Sequence, residues 1–207
     1  MPVRVASAEV SVKKRLLDSA IRLFTARGYT ATSVREIVEG AGVTKPALYY
    51  HFESKEAVYL AILNDLASYT DEVIARSRVA SGPVRERLEG FLVTLFEAFE
   101  EKKADVRFIN AVFWGPPQGA PPFDFATFHN KLLVVLSEIV RDGIASGELR
   151  AADPNDMTLV LMGVLSFTMD LTLARPELGV GKDGLRRVLD LLFKGIAAPG
   201  RRTEKPK

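Results

Sequence analysis

A chain of 207 residues that is 47% hydrophobic and 26% charged has the make-up of a globular protein and lies far from the disordered regime. Its 28 Lys and Arg against 26 Asp and Glu leave a formal charge of +2, with +3 in residues 1–60 and −1 in the rest, an asymmetry too mild to name a partner. With no cysteine there is no disulfide framework, thiolate nucleophile or Cys-based zinc site. The two histidines, His51 and His129, are too far apart in sequence for a His-rich metal site, and no phosphate loop or Gly-x-Ser-x-Gly elbow occurs. The expectation is a protein without metal or cofactor that is not an enzyme. The N-terminal residues lack the apolar stretch of a signal peptide. The most apolar run, Met157 to Leu173, contains Asp170 and is shorter than the ~18–20 residues of a membrane span. A cytoplasmic protein with no membrane partner is therefore expected.

In chain order the signals are helical almost throughout, with no alternating run bounded by hairpin turns. Leu17, Ala20, Ile21 and Phe24 recur at helical spacing before Gly28, which predicts a helix over 11–27. Ser33 and Glu36 form a capping-box pattern ahead of Val34, Ile37, Val38 and Ala41, and Gly42 can close that second helix. Thr44 is placed to cap a third, with Pro46 in its first turn, and Ser54 a fourth that runs to about Arg78. Ser81-Gly82-Pro83 precedes a helix over 84–101, followed by one over 104–113. The segment from Gly115 to Pro122 is too rich in Pro and Gly for regular structure. Further helices are expected over 123–147 and, after Asp153-Pro154, over 155–175. Leu185, Val188, Leu189, Leu192 and Ile196 mark the last, and residues 199–207 read as a disordered basic tail. The fold class is all-α, with about nine helices.

Two short capped helices joined by Ala41-Gly42-Val43 have the layout of a helix-turn-helix. Their apolar positions must close against the first helix, which makes a three-helix domain over residues 11–56. The third helix keeps one face that carries Lys45, Pro46, Ala47, Tyr49 and His51 and no carboxylate, as suits a surface that meets phosphates. Lys45 can reach guanine O6 and N7, whereas Pro46 and Ala47 offer apolar contact, for instance to a thymine methyl.

Residues 13–60 resemble the DNA-binding domain of the tetracycline-repressor (TetR) family of bacterial regulators. The resemblance lies in Ala20, Phe24, Gly28 and Tyr29, in Thr32-Ser33-Val34-Arg35-Glu36-Ile37, in Ala41-Gly42-Val43, and in Leu48-Tyr49-Tyr50-His51-Phe52 followed by Ser54-Lys55-Glu56. It implies that Ser33 and Arg35 meet a phosphate or base edge, and that Thr44, Lys45, Pro46, Ala47 and Tyr49 face the groove. Tyr50, His51 and Lys55 would grip the sugar-phosphate backbone. Three of these have bland readings as well: Tyr50 as core packing, His51 as a cation at a helix C-terminus, Lys55 as a solvated side chain.

Residues 57–198 would form a larger helical domain for ligand binding and dimerisation. Its many aromatic residues are mostly core, yet so many large rings invite a void, and an apolar cavity with a few polar groups is the default binding site. The resemblance places a small-molecule pocket there, and the candidates are Phe108, Asn110, Trp114, Phe125, His129, Phe167 and Asp170. Asp170 lies in a helix apolar on almost every side, where a carboxylate needs a partner. The same helix suggests cover by a second chain, with Gly163 allowing close approach, and the resemblance implies a homodimer through a four-helix bundle. The function expected is a ligand-responsive homodimeric repressor that binds a palindromic double-stranded DNA operator and is released by a small apolar or aromatic effector. The alternative is a helix-turn-helix DNA-binding protein without a small-molecule ligand, its second half serving dimerisation or a protein partner.

Overall fold

A computed structural model describes residues 3–77, 82–115 and 119–195, with side chains from residue 12 onward. Among the described residues there are nine α helices, one 3-10 turn and no strand. The helices are α1 (Val3–Arg27), α2 (Val34–Ala41), α3 (Lys45–His51), α4 (Lys55–Ser77), α5 (Val84–Glu101), α6 (Lys103–Phe113), α7 (Phe125–Ala145), α8 (Pro154–Ala174) and α9 (Gly181–Lys194). The expected basic tail at 199–207, together with Arg78, Ser81, Pro116 to Gln118 and Ile196, lies outside the described residues.

The helix ends follow from local chemistry. Gly28 takes φ 80° and ends α1, its N–H donating to the Phe24 carbonyl. At the start of α2 the Glu36 N–H donates to Ser33 Oγ at 3.3 Å, and the Ser33 N–H donates to Glu36 Oε2 at 2.8 Å. Two otherwise orphaned donors are thus satisfied by one pair of side chains. Gly42, at φ 63°, turns the chain out of α2 in the left-handed region that a Cβ disfavours. Ser54 Oγ accepts from the Ala57 N–H at 3.0 Å, and Asp153 accepts from the Asn155 N–H at 2.8 Å. Thr44 differs from expectation: it is the N-cap residue of α3 in extended geometry, but its side chain makes no capping bond. Pro46 at the second helical position has no N–H to offer, which removes one of the two donors that a capping oxygen can take.

The chain divides into two compact units, residues 1–76 with 98–132, and residues 77–97 with 133–207. The boundary expected between residues 56 and 57 falls inside the first unit, which also takes in α6 and the start of α7. The core of the first unit joins Leu16, Ala20 and Phe24 of α1 to Ile37, Leu48, Phe52, Val58, Tyr59, Ile62 and Phe108. Leu16, rather than Leu17, is the fully covered leucine of α1. Such buried side chains each contribute roughly 1.5–3 kcal/mol and hold the short helices α2 and α3, which could not persist alone.

The second unit buries Leu88, Phe91, Leu92, Phe96, Leu136, Val140, Leu161, Leu165, Leu185 and Leu189. Ion pairs Arg87–Asp142 (2.9 Å), Lys182–Glu97 (3.1 Å) and Arg85–Asp190 rim it. Helix α8 runs to 21 residues and is apolar enough to cross a membrane by length and composition, so the argument from a short run does not hold. What it shows instead is two faces, one buried through Leu161 and Leu165, the other exposing Leu159, Val160 and Phe167.

Candidate nucleic-acid interface and ligand cavity

Helix α3 is anchored by Leu48, fully buried, and by Phe52 just beyond its end. The rest of its surface is exposed: Thr44, Lys45, Pro46, Tyr49 and Tyr50, with Ala47 and His51 half-buried. Tyr50 is 71% exposed, which removes its reading as core; its ring meets His51 edge-on at 5.0 Å. Ser33 and Arg35 are exposed at the start of α2. Ser33 Oγ also donates to Glu36 Oε2 at 2.8 Å, and Arg35 Nε donates to Glu39 at 2.7 Å. Glu36 further accepts from Arg27 at 2.7 Å. The Ser33 N–H and hydroxyl, then Arg27, hold the Glu36 carboxyl below its ordinary pKa, which keeps the cap charged.

Lys55, for which the resemblance implies a grip on the backbone of DNA, is engaged within the chain. It is half-buried, and its ammonium donates to the Tyr29 and Thr32 carbonyls, each at 2.9 Å, while lying 4.1 Å from the centre of the Tyr29 ring. Burial pushes its pKa below the ordinary lysine value. The ammonium thereby ties the start of α4 to the 28–33 loop that leads into α2.

The first unit holds a cavity of about 340 Å³, with Tyr29 in its wall. Its walls are Phe24 and Thr25 of α1, Tyr29, Tyr59 of α4, Phe108, Ala111 and Val112 of α6, and the segment 119–123 with Phe125. Tyr59 sits in an aromatic box, its ring centre 5.6 Å from Phe24, 5.1 Å from Tyr29 and 5.5 Å from Phe108. Its hydroxyl is buried and has no hydrogen-bond partner among the described residues, and burial pushes the phenol up to about 12. At Gly119, φ is 59°, and a Cβ there would come within 3.3 Å of Thr30 Oγ1, so the segment lies close on the 28–33 loop.

Of the expected ligand residues, the structure brings Phe108 and Phe125 to this cavity and leaves five outside its lining. Trp114 caps the end of α6 and is 78% exposed. His129 gives its Nδ1–H to the Phe125 carbonyl at 2.8 Å, one turn back in α7, and its ring is 4.6 Å from Phe113. Asn110 is half-buried on α6. Phe167 and Asp170 belong to the second unit, and both are exposed. The desolvation that would oblige Asp170 to find a partner is therefore absent within the chain, because the apolar residues that flank it in sequence do not cover it. Among the described residues no group of three His, Asp or Glu could hold a metal ion.

Residues 16–62 match the family model of bacterial regulatory proteins of the tetR type. The helix-turn-helix repressor KstR2 of Mycolicibacterium smegmatis is 32% identical over 152 residues, which cover 70% of this chain and 70% of that one. The chain belongs to the TetR family of bacterial regulatory proteins. It is accordingly a transcriptional regulator and not an enzyme. Two solved structures share the fold of this TetR-family chain. PfmR from Thermus thermophilus has a TM-score of 0.73 at 24% identity, over 89% of this chain and 100% of that one. AibR, solved with isovaleryl coenzyme A and operator DNA, has a TM-score of 0.69 at 23% identity, over 88% and 98%.

The cavity residues that sequence reasoning missed are Phe24, Thr25, Tyr29, Tyr59, Ala111, Val112 and the 119–123 segment. Tyr59 falls on the apolar stripe Val58-Tyr59-Ile62-Leu63-Leu66 of α4, and nothing in that stripe separates a wall residue from a core residue. The one available signal was the phenol itself, since a tyrosine in a core stripe asks for a hydroxyl partner.

Proposed function

We propose that this TetR-family chain is a homodimeric, ligand-responsive transcriptional repressor that binds a palindromic DNA operator and is released by a small, largely apolar effector. The observation that carries the reading is α3: seven residues, Lys-Pro-Ala-Leu-Tyr-Tyr-His, of which only Leu48 is buried, exposing a lysine and two tyrosines and no carboxylate. Such a face suits a major groove, with Lys45 on a guanine edge, Pro46 and Ala47 on apolar edges, Thr44 and Tyr49 facing the groove beside them, Ser33 and Arg35 at a phosphate or base edge, and Tyr50 and His51 on the backbone. KstR2 is named as a repressor, and AibR was solved on operator DNA with an acyl-coenzyme A, which supports both the DNA partner and the small-molecule partner.

Dimerisation is supported by the uncovered apolar residues of α8 and α9, namely Leu159, Val160, Phe167, Val188 and Leu191. At Gly163 a Cβ would meet nothing within 4 Å, so a second backbone can approach there. A second copy on that face accounts for an apolar helix in a cytoplasmic protein without recourse to a membrane. Two recognition helices would then read half-sites about 34–36 Å apart or a multiple of that.

The test is anisotropy of a labelled duplex from the region upstream of the protein's own coding sequence, titrated across a salt series. Affinity should fall steeply with salt, and Lys45→Ala should cost about 1–3 kcal/mol on that duplex and less on random DNA. Equal binding of parent and Lys45→Ala to both duplexes removes α3 from the interface.

A further inference from the structure

The cavity in the first unit has a chemistry of its own. None of its lining residues is charged: the walls are aromatic rings, methyl groups, prolines and a few neutral oxygens. One buried side-chain polar atom of this wall set is left over, since the Tyr59 hydroxyl is shielded from water and bonded to nothing among the described residues. Thr25 is different, because its hydroxyl already donates to the Ile21 carbonyl at 2.7 Å. A buried donor left without an acceptor is costly, and a ligand that brings one acceptor relieves that cost. A phosphate or other multiply charged group would lose its hydration here and meet no cation in return.

The wall is also part of the DNA-reading machinery. Tyr29 faces the cavity with its neighbours Phe24 and Tyr59, and its carbonyl and ring both engage the Lys55 ammonium. The same ammonium holds the Thr32 carbonyl, one residue before the Ser33 cap of α2, and the Thr32 hydroxyl donates back to the Gly28 carbonyl at 2.8 Å. A change in the Tyr29 ring is therefore two contacts away from the first turn of α2, where Ser33 and Arg35 sit.

We propose that this cavity seats an uncharged, compact, largely apolar molecule with a hydrogen-bond acceptor for the Tyr59 hydroxyl, and that its occupancy acts on α2 through Tyr29 and Lys55. The regulatory half rests on the repressor reading given above; the binding half does not. A coenzyme A thioester such as the one AibR was solved with would have to keep its phosphates outside this uncharged lining.

The probe is prodan, a neutral naphthalene ketone whose emission reports both polarity and hydrogen bonding. It is titrated into the full-length protein without DNA. The expected result is saturable binding with a blue-shifted emission. Ala111→Trp, which fills the space, abolishes it, and Tyr59→Phe, which deletes the donor, weakens it about tenfold. Val112→Phe serves as the filling variant if Ala111→Trp does not fold. The second arm repeats the upstream-duplex titration with prodan present, and the expected result is weaker DNA binding in the parent and no effect of prodan in the filled variant. Undiminished prodan binding by the filled variant and by Tyr59→Phe overturns the site. Displacement of prodan by isovaleryl coenzyme A at lower concentration than by an uncharged ketone overturns the ligand class. Unchanged DNA affinity at saturating prodan overturns the link to α2. A protein that binds no DNA in either condition refutes the repressor reading, and the DNA-free titration still decides the cavity.

Discussion

Replacing Lys55 by Met keeps the apolar stem of the side chain and deletes its ammonium. If the ammonium is a clamp on the 28–33 loop, two charge-assisted bonds of 2.9 Å to the Tyr29 and Thr32 carbonyls are lost, together with the cation over the Tyr29 ring. Bonds to a charged donor contribute roughly 1.5–3 kcal/mol each, and a cation over a ring about 0.5–1. Two effects oppose this. Burial already disfavours the charge, as the lowered pKa shows, and a cation at the first residue of α4 opposes the helix dipole by about 0.3–1 kcal/mol. A net loss of about 2 kcal/mol is expected, read as a lower urea midpoint at unchanged slope.

A phosphate contact predicts something else. Each one removed should flatten the plot of log affinity against log salt by about 0.9, with folding stability untouched. Urea unfolding and DNA anisotropy on the same variant therefore separate the two roles. Unaltered stability with a flatter salt slope would refute the clamp and restore Lys55 to the interface.

Gly42→Ala should lower stability by about 1–2 kcal/mol, because the residue sits at φ 63° with nothing near a Cβ, so the cost is conformational alone; an unchanged urea midpoint would contradict it. Gly143→Ala should cost about 1–3 kcal/mol for the opposite reason, since a Cβ there would lie 2.6 Å from Val84 Cγ1 and 2.8 Å from Leu149. Tyr59 predicts an alkaline effect: its phenol keeps its proton in the folded protein up to about 12, whereas the unfolded chain loses it near 10. Its contribution is complete below pH 10 and drains as pH rises towards 12, reaching a loss of about 1.4 kcal/mol by pH 11, so Tyr59→Phe should lose that much less than the parent between pH 8 and pH 11. Phe167→Asp puts a carboxylate on the exposed face of α8 and should give a folded monomer by light scattering and circular dichroism; a dimer of undiminished affinity would move the interface elsewhere.

What could be read from the sequence was what is written over three or four residues. The Ser33–Glu36 box, the Gly42 exit and the Ser54 and Asp153 caps are local chemistry, and they place α2, α4 and α8 within a residue or two. The exposed face of α3 was legible for the same reason, since seven residues with a single buried leucine leave little choice of orientation. Periodicity failed where a helix is apolar all round: nothing in α8 says that Leu161 and Leu165 are covered within the chain while Leu159 and Phe167 are not. It failed again for contacts across long separations. The Lys55 ammonium meets carbonyls 26 and 23 residues earlier. The cavity joins residues from 24 to 125, so aromatic content pointed to Phe108 and Phe125 but not to the tyrosines facing them.

The position of the cavity sets a limit on how strongly a ligand there can regulate. Tight binding does not release DNA; the ligand must prefer the released form, and only contacts that differ between the two forms supply that preference. If the Lys55 clamp is such a contact, breaking it altogether provides about 2 kcal/mol, or about thirtyfold in affinity. That lies inside the 5–150-fold range usual for coupled sites. Two consequences follow. Operator DNA must weaken prodan binding by the same factor by which prodan weakens DNA binding, because the coupling is reciprocal. Lys55→Met, in which the clamp is already gone, must bind prodan but show a smaller factor in both titrations. Full coupling in that variant would show that the signal from the cavity reaches α2 by another route, through the packing of α1 rather than through Tyr29.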